Sequence, residues 1–187
     1  IPDAVLLFLK NKKDLGIHSE MVSDGVLELV EAGVITNKNK TIHKGKMIAT
    51  FLMGSKRLYD FVDKNPMVEL YPVNYVNNPL VIMQNRKMVS INSCLQVDLM
   101  GQITSESIGL KQFSGVGWQV DYVRGASMSE DGKSIIAMPS TACDGKVSRI
   151  VPFLSQGSAV TTSRNDVHYV VTEYGVADLW GTTLRKR

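Results

Sequence analysis

Among the acidic side chains, Glu20 stands where a carboxylate could do covalent work. It lies within Gly16-Ile17-His18-Ser19-Glu20-Met21-Val22-Ser23-Asp24-Gly25. Leu15 and Ile17 read as the end of a short buried strand, and Ser23 or Asp24 ahead of an apolar run reads as a helix start. Glu20 is therefore expected in the turn between a strand's C-terminal end and a helix N-terminus, where ligand sites gather in open α/β sheets. A carboxylate there can be a nucleophile, a general base, or only a charge favoured by the helix dipole. Position alone leaves all three open.

Other stretches carry weaker chemistry. An Asn amide in Asn77-Asn78-Pro79 could donate to a developing oxyanion, although such pairs are commonly turn residues. Gly115-Val116-Gly117 begins like a dinucleotide fingerprint, but Val120 holds the third glycine position and the opening βαβ unit is missing. Two glycines before a helix still expose backbone N–H groups that can hold an oxyanion or close on a thioester. Lys146 and Arg149, in the loop Ser140–Pro152, suit phosphate or carboxylate pairing, or simple solvation. His18, His43 and His168 each lack a second ligand three or four residues away, so zinc is not indicated. Cys94 sits in a strand frame and Cys143 in a Gly/Asp loop, neither beside a base. No Gly-x-Ser-x-Gly elbow and no Gly-x-x-x-x-Gly-Lys-Ser/Thr loop occurs.

The elements that must position these groups follow from periodicity. Helices are expected at Pro2–Lys13, about Asp24–Ala32 with Val26, Leu27 and Val30 inward, and after Ser55, with Leu58, Phe61 and Val62 on one face. Gly33 reads as the C′ residue of the second. Met47–Leu52, Met67–Tyr71 and the long run Met88–Leu99 read as strands, the last forming a hairpin with Ile103–Ser107. Asn74–Pro79 reads as a turn-rich connector and Pro79–Gln84 as a short helix. Beyond a helical stretch at Trp118–Arg124, strands are expected at Ser134–Met138, Val147–Val151, Ala159–Thr161 and His168–Val171, with a closing helix at Glu173–Trp180. Early alternation followed by strands predicts an α/β domain: an open, mainly parallel sheet flanked by helices.

Composition narrows the function classes. The 187 residues suffice for one ordinary core, with 44% hydrophobic and 21% charged residues. A net charge of +3, scattered along the chain, suits a small anionic ligand and not a nucleic-acid footprint. No apolar run approaches the roughly 20 residues of a membrane span. Two distant cysteines and no export pattern fit a cytoplasmic protein. Pro2 at a helix N1 position and Thr183–Arg187 reading as a helix just beginning suggest a piece of a longer chain.

Five blocks in order resemble one family. They are Gly16–Gly25, Ile91-Asn92-Ser93 through Gln102, Gly115–Asp121, Ser140–Pro152 and Val171–Leu179. Together, over nearly the whole chain, they are similar to the C-terminal half of the acetyl-CoA hydrolase/transferase family of class I CoA-transferases. The resemblance implies one C-terminal CoA-transferase domain over residues 1–187, with coenzyme A as substrate and no metal. It implies that His18-Ser19-Glu20 carries the nucleophilic glutamate, and that Asn77 is the oxyanion-stabilising asparagine. Gly115, Val116 and Gly117 then form the thioester loop, and Trp118, where relatives often carry another glycine, reshapes the acyl pocket. Leu95 and Gly117 are implied CoA contacts, and Ile1-Pro2 the end of a Gly-rich CoA loop. Implied partners are an acyl-CoA, a small carboxylic acid of the 4-hydroxybutyrate or acetate type, the enzyme's N-terminal half and further copies of the chain. An acyl-CoA hydrolase on the same scaffold, or an inactive CoA-binding lobe, stands as the alternative.

Overall fold

The computed structural model describes residues 2–186, so the role expected of Ile1 lies outside the described residues. The chain divides into two compact units, Ile1–Arg86 and Lys87–Arg187.

In the first unit, α1 (Pro2–Leu6) runs into a 3-10 turn at Leu7–Asn11. β1 (Met21–Val22) leads into α2 (Asp24–Glu31), followed by β2 (Met47–Ala49) and β3 (Phe51–Leu52). α3 (Lys56–Val62), β4 (Val68–Leu70), α4 (Val73–Val76) and α5 (Pro79–Ile82) complete it. β1 pairs with β3 and β2 with β4, both in parallel. The core gathers Val26, Leu27 and Leu29 of α2 around Val22, Met47, Ala49 and Leu58. Leu29, at 1% exposure, takes the deep place that spacing gave to Val30, which packs at the edge. Four apolar residues at 26, 27, 29 and 30 make a stripe wider than one helix face, so packing chooses among them. α2 ends as expected at Gly33, whose φ of +71° lies where only glycine escapes a Cβ penalty.

The second unit opens with β5 (Val89–Asn92), β6 (Gln96–Asp98), β7 (Ile103–Thr104), β8 (Ser107–Ile108) and β9 (Lys111–Gln112). α6 (Gln119–Met128) and β10 (Lys133–Ala137) follow, then β11 (Thr141–Ala142), β12 (Val147–Ser148) and β13 (Ile150–Val151). β14 (Tyr169–Thr172) and β15 (Gly175–Asp178) close it. The main sheet has the order β15-β14-β10-β5, with β10 parallel to both its neighbours. Its core joins Val123 of α6 to Ile136, Met138, Val170 and the buried Cys94.

The architecture is the expected α/β one with mostly parallel strand pairs, distributed over several small sheets. Four local expectations are corrected. Met88–Leu99 is not one strand, because β5 joins β10 while β6 pairs with β7 and β13. Glu173–Trp180 is not a helix: Glu173 and Tyr174 form a tight turn and β15 folds back antiparallel on β14, with Thr172 opposite Gly175. Pairing along a whole strand outweighs the weak helix preference of four exposed residues. Ala159–Thr161 forms no strand, and the connector before Pro79 contains α4.

Candidate active site

Glu20 sits at a bend one residue before β1, not in a loop leading directly into a helix. Residues 18–22 run parallel to 48–52, with Ile48 N–H donating to the Ile17 carbonyl and Ser19 N–H to the Ile48 carbonyl. The register is kept past Glu20, with Met21 opposite Phe51, but the hydrogen bonding there is irregular. The Glu20 carbonyl accepts from both Thr50 N–H (2.9 Å) and Phe51 N–H (3.0 Å), where a regular parallel ladder supplies one donor.

The Glu20 carboxylate meets Asn77. The Asn77 side-chain amide donates through Nδ2 to Glu20 Oε2, across 57 residues of sequence. Asn77 is 9% exposed, and its Oδ1 is buried without a hydrogen-bond partner. Its neighbour plays a different part. The Asn78 side chain accepts from Leu80 N–H and caps α5, with Pro79 at the first helical position. The structure thus gives the two adjacent asparagines different partners, with Asn77 on Glu20 and Asn78 on the start of α5.

The approach to Glu20 is held by side chains from afar. Asn37 Oδ1 accepts from Ile17 N–H at 2.8 Å. Buried Lys40 donates through Nζ to the carbonyls of Ile17 and Lys46, each at 2.8 Å. Its stem lies so close to Gly16 that an added Cβ would meet Lys40 Cγ at 2.5 Å, so only glycine fits there. Burial pulls the Lys40 ammonium down to about 8, against the opposing pull of Glu69. His18 donates through Nε2 to the Val76 carbonyl at 2.8 Å. Burial is the largest cause that brings its pKa down to about 4, with Lys40 and His43 adding to it and the Val76 bond opposing it.

That shift has a measurable consequence. The folded pKa lies below the ordinary value of about 6.5, so below it the unfolded chain binds the extra proton and acid drives unfolding. The His18 contribution is intact above pH 6.5 and lost as pH falls to about 4, roughly 3 kcal/mol in all. Denaturant melts from pH 7 to 4 should show this loss in the native chain and a flatter profile in His18→Gln. Equal slopes would contradict it.

The remaining expected residues belong to the second unit. Gly115, Val116 and Gly117 form an exposed loop before α6, and Gly117 takes φ +63°. Leu95 follows β5, with its N–H donating to the Thr104 carbonyl at 2.8 Å. Half-buried Arg149 donates from its guanidinium to the carbonyls of Cys94 and Leu95 and so braces that turn. Cys94 is core, its thiol pushed up to about 12 by burial. One pairing escaped the sequence reading. Beyond the C-terminal ends of β10 and β14, Ser140 donates to the Glu173 carboxylate through its hydroxyl (2.5 Å) and its backbone N–H (2.8 Å), holding that acid below its usual range. Glu173 lies in a block that the resemblance singled out, but nothing in its spacing marks the distant serine.

Comparison with known proteins places this fold in a family. Residues 54–187 match the acetyl-CoA hydrolase/transferase C-terminal domain, and the chain belongs to that family. Over its whole length it is 75% identical to the 4-hydroxybutyrate coenzyme A transferase of Clostridium kluyveri, of which it covers 44%. The solved 4-hydroxybutyrate CoA-transferase of Porphyromonas gingivalis is 53% identical and superposes with a TM-score of 0.85 over all of this chain and 43% of that one. RipA from Yersinia pestis superposes at 0.92, with 46% identity, over 97% of this chain and 41% of its own. The chain thus spans less than half the length of these relatives.

Proposed function

We propose that the chain is the C-terminal part of a CoA-transferase that moves CoA between an acyl-CoA and a small carboxylic acid, with Glu20 as nucleophile. The observation that carries this reading is the contact between Glu20 and the Asn77 amide. A nucleophile beside a buried donor is what acyl transfer requires.

The Glu20 carboxylate attacks the thioester carbonyl, and the tetrahedral intermediate expels CoA thiolate to leave an acyl-glutamyl anhydride. The thiolate returns to the glutamyl carbonyl, releases the donor's carboxylate and forms a glutamyl-CoA thioester. An acceptor carboxylate opens that thioester, forming a second anhydride and freeing the thiolate again. Attack of the thiolate on the acceptor's carbonyl gives the new acyl-CoA and restores Glu20. Each step passes through an oxyanion, and the second N–H of the Asn77 amide is the donor assigned to it. Backbone N–H groups of Gly115, Val116 and Gly117 are assigned to the thioester, with Gly117, Leu95 and Ile1 against CoA. Trp118, beside that loop, shapes the acyl pocket.

The relative from Clostridium and the one from Porphyromonas are named for 4-hydroxybutyrate, which makes that acid, with acetate, the proposed substrate pair. The reading includes an N-terminal half, a homo-oligomer and a cytoplasmic setting. No metal takes part in it. Hydrolysis is the second reading, because the matching family includes hydrolases. The discriminating assay uses the chain completed to the length of its relatives, with acetyl-CoA. New acyl-CoA should appear only when 4-hydroxybutyrate is added, and free thiol should stay low without it. Thiol release at the same rate in both cases would establish hydrolysis instead.

A further inference from the structure

α4 is only four residues long, and Asn77 follows directly on it. So short a helix has little stiffness of its own, and the direction of the Asn77 amide must be set by tertiary contacts. The last carbonyls of a helix look beyond it for donors. Here the Val76 carbonyl receives one from His18, two residues before Glu20. The segments bearing Glu20 and Asn77 are therefore tied twice, by imidazole to carbonyl and by amide to carboxylate.

We infer that His18 is a positioning residue for transfer: its Nε2–H, fixed on the Val76 carbonyl, sets the aim of the Asn77 amide at the reacting carbonyl of Glu20. The inference rests on the roles proposed above for Glu20 and Asn77. The strut is deeply placed, with His18 6% and Val76 0% exposed, so water does not compete for the bond. The other end of the brace is equally fixed, because Ile17 is held by Asn37 and Lys40 and Ser19 by the Ile48 carbonyl. Near neutral pH the imidazole is uncharged, so its N–H donates without the cost of a buried cation. Lys40 and His43 both act on it electrostatically in the direction that disfavours a charged imidazole. During transfer Glu20 changes from carboxylate to anhydride to thioester, so its own bond to Asn77 cannot hold the amide throughout. The His18 strut can.

The test uses the protein completed to the length of its relatives, with CoA transfer to 4-hydroxybutyrate as readout. Misplacing a catalytic group by about 1 Å costs on the order of 100-fold, so His18→Leu should lower kcat about 10- to 100-fold while KM for acyl-CoA changes less than about threefold. His18→Gln keeps an N–H of similar reach and should recover kcat to within about threefold of the native enzyme. In an Asn77→Ala background the same His18→Leu change should cost less than about threefold, because the group it aims is gone. Equal losses in both backgrounds, or a glutamine variant as slow as the leucine one, would overturn the inference. If His18→Leu fails to fold, His18→Gln decides alone: near-native kcat supports the strut, and a loss beyond about tenfold overturns it. An unchanged kcat in Asn77→Ala by itself overturns the functional reading beneath, and is distinguishable from a failure of the strut.

Discussion

Glu20→Ala in the full-length enzyme should abolish CoA transfer, by at least about 10,000-fold, while leaving the fold and the thermal midpoint nearly unchanged. The side chain is half-buried, its backbone carbonyl is what β3 uses, and its carboxylate has Asn77 as the partner on which the mechanism depends. Removing it deletes the atom that forms the bond and touches little of the core built on Val22, Leu27 and Met47. Glu20→Asp is the sharper variant. It keeps the chemistry and withdraws the carboxylate by one methylene, and an error near 1 Å should cost on the order of 100-fold. Steady-state transfer rates with a thermal melt check both. An aspartate variant as slow as the alanine one would argue that Glu20 also shapes the fold.

Asn77→Ala should lower kcat about 100- to 1,000-fold with a small effect on KM, the usual cost of one oxyanion donor. The argument is geometric: the amide already touches the nucleophile, and a carbonyl attacked by Glu20 must pass beside it. Asn77→Asp should be worse, because a second carboxylate against Glu20 repels its charge and resists ionisation of both. Changing Asn78 in the same way removes only a helix cap, about 1 kcal/mol of stability, and should leave kcat close to native. A large kcat loss at Asn78 with none at Asn77 would reverse the assignment.

Much of this was legible before the fold was known. The apolar stripe of α2 and the glycine at its end were readable, but the strand expected at Leu15–Ile17 is only a pair of single bridges at Leu15 and His18, and β1 falls after Glu20 rather than before it. Local pattern also missed the irregular bonding: the shared use of the Glu20 carbonyl by Thr50 and Phe51 depends on a strand 30 residues away. The braces were equally hidden. His18 reaches Val76 across 58 residues and Lys40 reaches Ile17 across 23, and no period in the sequence records either contact. A lone histidine and a lysine in a polar stretch look like surface residues until the chain folds them inward. Glu173–Trp180 failed for a related reason, since a hairpin partner decided its conformation.

The most direct test is to trap the covalent intermediate. The completed enzyme is incubated with acetyl-CoA, reduced with borohydride and mapped by peptide mass spectrometry. The account predicts a thioester reduced to an alcohol at Glu20, in the peptide spanning His18 to Asp24, and its absence from Glu20→Ala. Reduction at another residue, or active transfer with an unmodified Glu20 peptide, would contradict it.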